Sequence, residues 1–349
     1  MKNVLFITSL LLVACCSCGT NETESKSNAT VVTADSAVGK IEIYDTTALT
    51  AIDSNANVEV IAKGFTWSEG PVWIADKQLL LFTDVPENKI YQWKEGDSAK
   101  IYLKPSGYTG SVKRIGGEDG ANGLALDKNG GLLICQSGNR QVVRLNAPLD
   151  APTPDFTVLS SSYNGKKFNS PNDLVADSKN NIYFTDPIYG LPQGANDSTR
   201  ELSFEGVYKI SADGKTTLLI DSIPNPNGIA LSLDEKILYV ASSEDIHPKW
   251  FAYNLDEKGN IKSGGVLLDA TEIKAKATVK QGSDGFKLDK QGNIFSAGPD
   301  GVSIISPEGK LLGLLKIYVR RTSNCAFNET KDVLYITADD LVLKVRLHH

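Results

Sequence analysis

One phrase recurs six times along this chain, and it restricts the possible folds more than any other feature. A small residue and an oxygen-bearing residue open it. An apolar strand, a tight polar turn and a second apolar strand follow. The copies are SEGPVWIADKQLLLFTD from Ser68, ANGLALDKNGGLLICQ from Ala121, PNDLVADSKNNIYFTD from Pro171, PNGIALSLDEKILYVAS from Pro226, SDGFKLDKQGNIFSAG from Ser283 and SNCAFNETKDVLYITA from Ser323. Each supplies a hairpin, and the residues between copies supply two further strands. After the third copy these are Val207–Ser211 and Thr216–Asp221, around the turn Ala212-Asp213-Gly214-Lys215.

Four strands per unit, six times, predict an all-β six-bladed β-propeller. No segment keeps a sustained 3.6-residue period; Ala270–Lys280 is the best candidate for a short helical turn. The last copy offers only three strands, Cys325–Glu329, Val333–Ala338 and Leu341–Leu347. Asn57–Lys63 is a spare strand ahead of the first copy. An N-terminal strand completing the last blade would close the ring and remove two exposed edges, which an open solenoid would leave bare. The propeller domain is therefore placed at residues 57–347.

The stretch before it reads as an address. The apolar run Val4–Ala14 after Lys2 is too short for a membrane helix, which needs about 20 residues. It has the form of a signal peptide over residues 1–14. Leu12-Val13-Ala14-Cys15 resembles a bacterial lipoprotein box, which implies cleavage before Cys15 and acylation of its thiol. Residues 15–56 then form a lipidated, largely disordered tether, rich in Ser, Thr, Asn and Glu from Ser17 to Ser36. The expected location is exported, as a lipoprotein in the periplasm or at the outer membrane, touching the membrane only through Cys15. In the body only Cys135 and Cys325 remain, in apolar strands, where Cys behaves as a small buried hydrophobe.

Charge and histidine content exclude several functions. Thirty-six Lys and Arg against forty-two Asp and Glu give a net charge of −6, contrary to the basic face that nucleic-acid binding requires. With three His, at 247, 348 and 349, no His-rich metal site can form, and a Ser-His-Asp triad could be built only around His247 or the C-terminus. A G-x-S-x-G elbow and a Walker loop are absent from the sequence.

In a propeller the inner strand of each blade begins beside the axis, so the second residue of each copy faces the channel. Those residues are Glu69, Asn122, Asn172, Asn227, Asp284 and Asn324. Asn and Asp serve turns as well as ligands. Glu is not a favoured turn residue, and two carboxylates in a narrow channel repel each other. A divalent cation offsets that cost. All-oxygen ligands select a hard ion, and a flexible multi-oxygen cage suits Ca²⁺ better than Mg²⁺.

At these residues the chain resembles the SMP-30/gluconolactonase/LRE family, within it the bacterial gluconolactonases. The matching fragments are Glu69-Gly70-Pro71-Val72-Trp73, Ser170-Pro171-Asn172-Asp173-Leu174, Tyr183-Phe184-Thr185-Asp186-Pro187 with Tyr189-Gly190-Leu191-Pro192, Asn227-Gly228-Ile229-Ala230 and Ser283-Asp284-Gly285. The resemblance implies a six-bladed propeller with a divalent metal, usually calcium, in its channel, hydrolysing sugar lactones or related esters. It places the metal on Glu69, Asn172, Asn227 and Asp284, and the general base on Asp284. Asp173, beside a ligand, is expected to support it. Two departures bear on substrate choice: Ser170 stands where animal members carry an Arg that holds the sugar, and Ser137 lies in a stretch where several bacterial relatives carry a His.

The implied chemistry is lactone hydrolysis, with the metal polarising the carbonyl and Asp284 or a metal-bound water as base or nucleophile. Asn122, Asp173, Asp186, Tyr189, His247 and Asn324 are the further candidates for contact with substrate or ligands. Strand direction places the loops Pro105–Gly120, Gln136–Arg140, Asp186–Gly206, Ser243–Trp250 and Tyr318–Ser323 on the metal's face, with Asp186–Gly206 as the candidate lid. Two other functions share these residues: a promiscuous arylesterase or phosphotriesterase on the same metal, and a non-catalytic propeller that binds sugar or protein.

Overall fold

The computed structural model describes residues 37–112, 114 and 116–348. The expected signal peptide, Cys15 and the first part of the tether lie outside the described residues.

Six four-stranded antiparallel units follow one another as the repeat requires. Their inner strands are Ser68–Ile74, Ala121–Leu126, Leu174–Ala176, Pro226–Leu231, Phe286–Leu288 and Thr322–Phe327. Successive inner strands pack beside one another, and the sixth packs beside the first, so the ring is closed. In the last blade Val58–Lys63 pairs antiparallel with Leu341–Arg346, giving that sheet its fourth strand from the other end of the chain. The short helix Thr271–Lys276 falls inside the predicted helical stretch.

Apolar strand residues meet between blades rather than in one central core. Ile90, Leu124 and Ile134 fill the gap between blades one and two; Phe168, Phe184 and Tyr208 pack where blades two and three meet. At the closing seam Leu80, Phe82 and Trp93 of blade one pack with Val333, Tyr335 and Val342 of blade six. Trp73 stacks on Tyr335 across that seam, with ring centroids 5.2 Å apart. Trp250 is buried and donates its indole N–H to Ser296 Oγ at 2.8 Å, joining blades four and five. Each such fully buried aromatic or aliphatic side chain contributes about 1.5–3 kcal/mol, so the ring is stabilised seam by seam. Cys135 and Cys325 are buried and unbridged.

The boundary at residue 57 requires correction. Gly39–Ile43 adds a fifth, outer strand to blade five, pairing antiparallel with Leu311–Ile317. The one-turn helix Thr46–Thr50 follows, with Asp45 accepting the Thr47 N–H at 2.9 Å as its cap. Ala48 and Ile52 are fully buried against blades five and six. Residues 39–56 therefore belong to the folded body. They bury apolar surface and cover the edge of blade five, which a disordered tether does not do.

Candidate functional site

The ring residues are aimed at the axis by β-bulges. In four of the six inner strands the pairing register shifts at the opening of the repeat: between Glu69 and Val72, Ala121 and Leu124, Pro226 and Ile229, and Thr322 and Asn324. A bulge turns a side chain out of the alternation of its strand. The glycine after the ring residue lets the next blade approach. A Cβ on Gly70 would overlap the Asn122 carbonyl oxygen, and one on Gly228 the Asp284 carbonyl oxygen. Threonines of the second strands fasten the arrangement: Thr83 Oγ1 donates to the Asn122 carbonyl at 3.1 Å and Thr185 Oγ1 to that of Asn227 at 2.7 Å.

At this end of the channel lies a cavity of about 350 Å³, at the small end of ligand pockets, which span about 300–1,000 Å³. Five of the six ring residues line it: Glu69, Asn122, Asn172, Asn227 and Asp284. Glu69 is 3% exposed and is pushed up to about 8, chiefly by burial, with the charges of Asp173 and Glu118 adding to it. Burial, then the charge of Glu69, raises Asp284 well above the usual carboxylate range. The two carboxyls thus share one enclosed space and resist joint ionisation. Oδ1 of Asn122 is buried without a hydrogen-bond partner.

Tyr189 also lines the cavity, and burial raises its phenol. Its loop, the lid candidate, is fastened at this point. Ser170 Oγ donates to the Pro187 carbonyl at 2.6 Å and accepts the Gly190 N–H at 2.9 Å. Arg114 donates to the Gly190 carbonyl and pairs with Asp119 at 3.1 Å. The Ser170 hydroxyl is thus occupied in holding the Tyr189 loop.

Four of the further candidates do not line the cavity. Asn324, the sixth ring member, does not line the cavity: its amide donates to Asp173 Oδ2, and its Oδ1 accepts the Cys325 N–H at 2.8 Å. Asp173 is buried beneath the cavity, 3.6 Å from the Lys287 ammonium. Asp186 is fully buried and accepts the N–H groups of Asn169 and Ser170 at 2.8 and 2.7 Å. It anchors the turn that delivers Asn172, as Asp84 does for Glu69 by accepting from Thr66 and Trp67. Burial pushes Asp186 up to about 7 despite those donors. His247 is exposed, with Nδ1 3.3 Å from Thr271 Oγ1, away from the cavity.

Besides Asp245, the cavity carries a further carboxylate that the sequence reading missed, Glu118. It accepts from the Asn122 amide at 3.3 Å, and burial raises its pKa. Nothing in the repeat marks it, because it stands in the loop before the inner strand; its place in Pro105–Gly120 was the available signal. Lys280 and Gln281 also line the cavity, from a loop outside the set expected to face it.

Fold and site together define a six-bladed propeller whose ligand cavity lies on its axis, built from inner-strand carboxylates and amides. Residues 67–340 match the profile described as the SMP-30/Gluconolactonase/LRE-like region, and the chain belongs to that family. It is 36% identical over 313 residues to a gluconolactonase of Zymomonas mobilis, covering 89% of this chain and 87% of that protein. Human regucalcin is 24% identical over 282 residues, covering 80% of this chain and 85% of its own. A solved gluconolactonase of Xanthomonas campestris superposes with a TM-score of 0.75 at 27% identity, over 91% of this chain and 99% of that one.

Proposed function

We propose that the protein hydrolyses a sugar lactone, with Ca²⁺ held among the cavity oxygens. The observation that carries this reading is that buried Glu69 and partly buried Asp284 line one cavity, both shifted upward, with no Lys or Arg paired to either among the described residues. A buried unpaired charge is costly, and a dication offsets two at once. The residues fit a hard ion: Glu69, Asp284, Asn172 and Asn227 would hold it, and the orphaned Asn122 Oδ1 is a further oxygen facing the same space. Among the described residues no three His, Cys, Asp or Glu side chains gather as a metal site would, so amide oxygens have to complete the shell. When bound, the ion supplies positive charge that polarises the lactone carbonyl and stabilises its oxyanion.

The chain's own residues do the rest. Asp284 takes a proton from a water as the water oxygen attacks the carbonyl carbon. The ring C–O bond then breaks, and the proton passes from Asp284 to the departing ring oxygen, leaving a hydroxy acid. Glu118, Asn122 and Tyr189 present hydrogen-bonding groups to the sugar hydroxyls. Two relatives named gluconolactonase, one found by sequence and one by structure, support the reading.

Titrating acid released from D-glucono-1,5-lactone, above the spontaneous rate, tests it. Release that chelator abolishes and Ca²⁺ restores is expected; unchanged turnover in Asp284→Ala would remove Asp284 from the mechanism. Hydrolysis of phenyl acetate or paraoxon without that of the lactone would favour the esterase reading. Lactone binding without turnover would favour a non-catalytic propeller.

Export and anchoring through lipid on Cys15 belong to the same proposal, supported by the run Val4–Ala14 before Leu12-Val13-Ala14-Cys15. Labelled palmitate should enter the whole chain and not its Cys15→Ser variant.

A further inference from the structure

Charge is unevenly distributed around the cavity. Glu69, Glu118, Asp245 and Asp284 line it, whereas two cations, Lys280 and Arg321, form part of its wall on the side of blades five and six. Neighbouring cations are already neutralised: Lys274 pairs with Asp245 at 3.1 Å and Arg320 with Asp340 at 2.6 Å. Lys280 and Arg321 have no acidic partner among the described residues, and both are exposed.

Their backbones are nevertheless fixed. Asp300 accepts the N–H groups of Thr278 and Val279 at 2.8 and 2.7 Å, just ahead of Lys280. The Gln281 amide donates to the Thr322 carbonyl at 2.6 Å, tying the loop of Lys280 to that of Arg321. Asp339 accepts the Arg321 N–H at 2.8 Å. The two loops are thus joined to each other while both cationic heads remain free on the cavity wall. A neutral sugar lactone offers neither of them a counter-charge.

Resting on the lactonase reading, we propose that the preferred substrate is an anionic lactone, carrying a carboxylate or phosphate at the end remote from its ring carbonyl. The carbonyl end meets Asp284, and the anion meets Lys280 and Arg321. Of the four carboxylates on the cavity, the ion would offset Glu69 and Asp284 and Lys274 pairs with Asp245; Glu118 remains, and Lys280 and Arg321 offset its repulsion of an anion. Arg321 can grip a carboxylate or phosphate through two parallel N–H groups, and Lys280 adds a point charge. Lys280 and Arg321 act on specificity, and the hydrolytic step is that described above.

The experiment compares kcat/KM for lactones of matched ring size at one metal concentration. D-glucaro-1,4-lactone is set against D-glucono-1,4-lactone for the carboxylate, and 6-phosphoglucono-1,5-lactone against glucono-1,5-lactone for the phosphate. At least one anionic lactone should exceed its neutral partner by about tenfold. That ratio should fall about tenfold in Arg321→Gln and in Lys280→Gln, and hold in Arg320→Gln, whose guanidinium is engaged by Asp340. Ratios near one in both pairs, or ratios indifferent to both substitutions, overturn the inference. Calorimetric titration with glucarate, 6-phosphogluconate and gluconate separates this from the lactonase reading. Tighter binding of glucarate or 6-phosphogluconate than of gluconate, lost in the Lys280→Gln/Arg321→Gln double variant, upholds the anion site even if no lactone is turned over. Equal affinities sink it while leaving gluconolactone hydrolysis intact.

Discussion

The Asn324 side chain spans the channel: its Nδ2 lies 3.4 Å from Oδ2 of Asp173, and the two residues belong to blades on opposite sides of the ring. Lys287 completes the contact, with Nζ 3.6 Å from the same carboxylate oxygen and 3.4 Å from Asn324 Oδ1. These three side chains from blades three, five and six form a polar floor across the channel, outside the lining of the cavity itself. The far end of the channel beyond them is lined by apolar groups, among them Val72, Leu124, Leu174 and Phe327.

Lys287→Met should therefore destabilise the protein, because it leaves Asp173 buried without its cation. A loss of about 3 kcal/mol is expected, read as a lower urea midpoint. Asp173→Asn in the same chain should recover part of it, since the unpaired charge is then gone. Equal stability of Lys287→Met and wild type would show that the floor does not depend on the pair.

Without calcium, stability should fall as pH rises. Folded Glu69 titrates near 8 and Asp186 near 7, whereas in the unfolded chain both carboxyls release their protons near 4. The native state thus holds more protons between about pH 4 and 8, and stability declines across that window; Asp284 adds in the same direction. Calcium should reverse the trend, since it binds the ionised carboxylates and stabilises most where they are deprotonated. Melting temperatures at pH 5 and pH 8, with chelator and with calcium, check both signs.

Glu69→Gln separates affinity from fold. It removes one buried charge, so the chelated protein at pH 8 should melt at the wild-type temperature or above it, while calorimetry shows weaker calcium binding. A variant that melts lower in chelator and binds calcium as before would contradict the placement of Glu69 among the ligands.

Asp186 should matter to catalysis without touching the cavity. Asp186→Ala frees the N–H groups of Asn169 and Ser170 and loosens the turn that carries Asn172. We expect a loss of about 2–4 kcal/mol in stability and a clear fall in kcat/KM on lactone. Asp186→Asn should be milder, because the amide oxygen keeps one acceptor in place.

Shortening the N-terminus tests the corrected boundary. A chain beginning at Ala37 should melt as the full chain does. One beginning at Asn55 loses Gly39–Ile43 and the buried Ala48 and Ile52, and should lose at least about 3 kcal/mol. Its bare blade-five edge should also raise light scattering on warming.

The ring was legible because it is repeated: six copies set the blade count, and their second position named five of the cavity's side chains. What the repeat does not contain was not legible. Glu118, Lys280 and Gln281 reach the cavity from loops, where no periodicity indicates direction. Asp186 was expected at the substrate or beside the ligands, and its carboxylate is engaged by the Asn169 and Ser170 N–H groups of the turn ahead of Asn172. Asn324 has the expected position, and its side chain acts on Glu69 and reaches Asp173 from outside the cavity lining. Gly39–Ile43 was missed because it is a fifth strand, outside the unit that recurs, in a segment whose polar surroundings suggest no burial.

The joint between Val58–Lys63 and Leu341–Arg346 has a consequence for how the molecule is made. A chain emerging from the ribosome cannot finish its circle until Leu341–Arg346 has been added, since the opening strand waits for a partner nearly three hundred positions downstream. Glu69 sits on the first blade beside that joint. Its carboxylate acquires its final surroundings only when the sixth blade has formed beside the first.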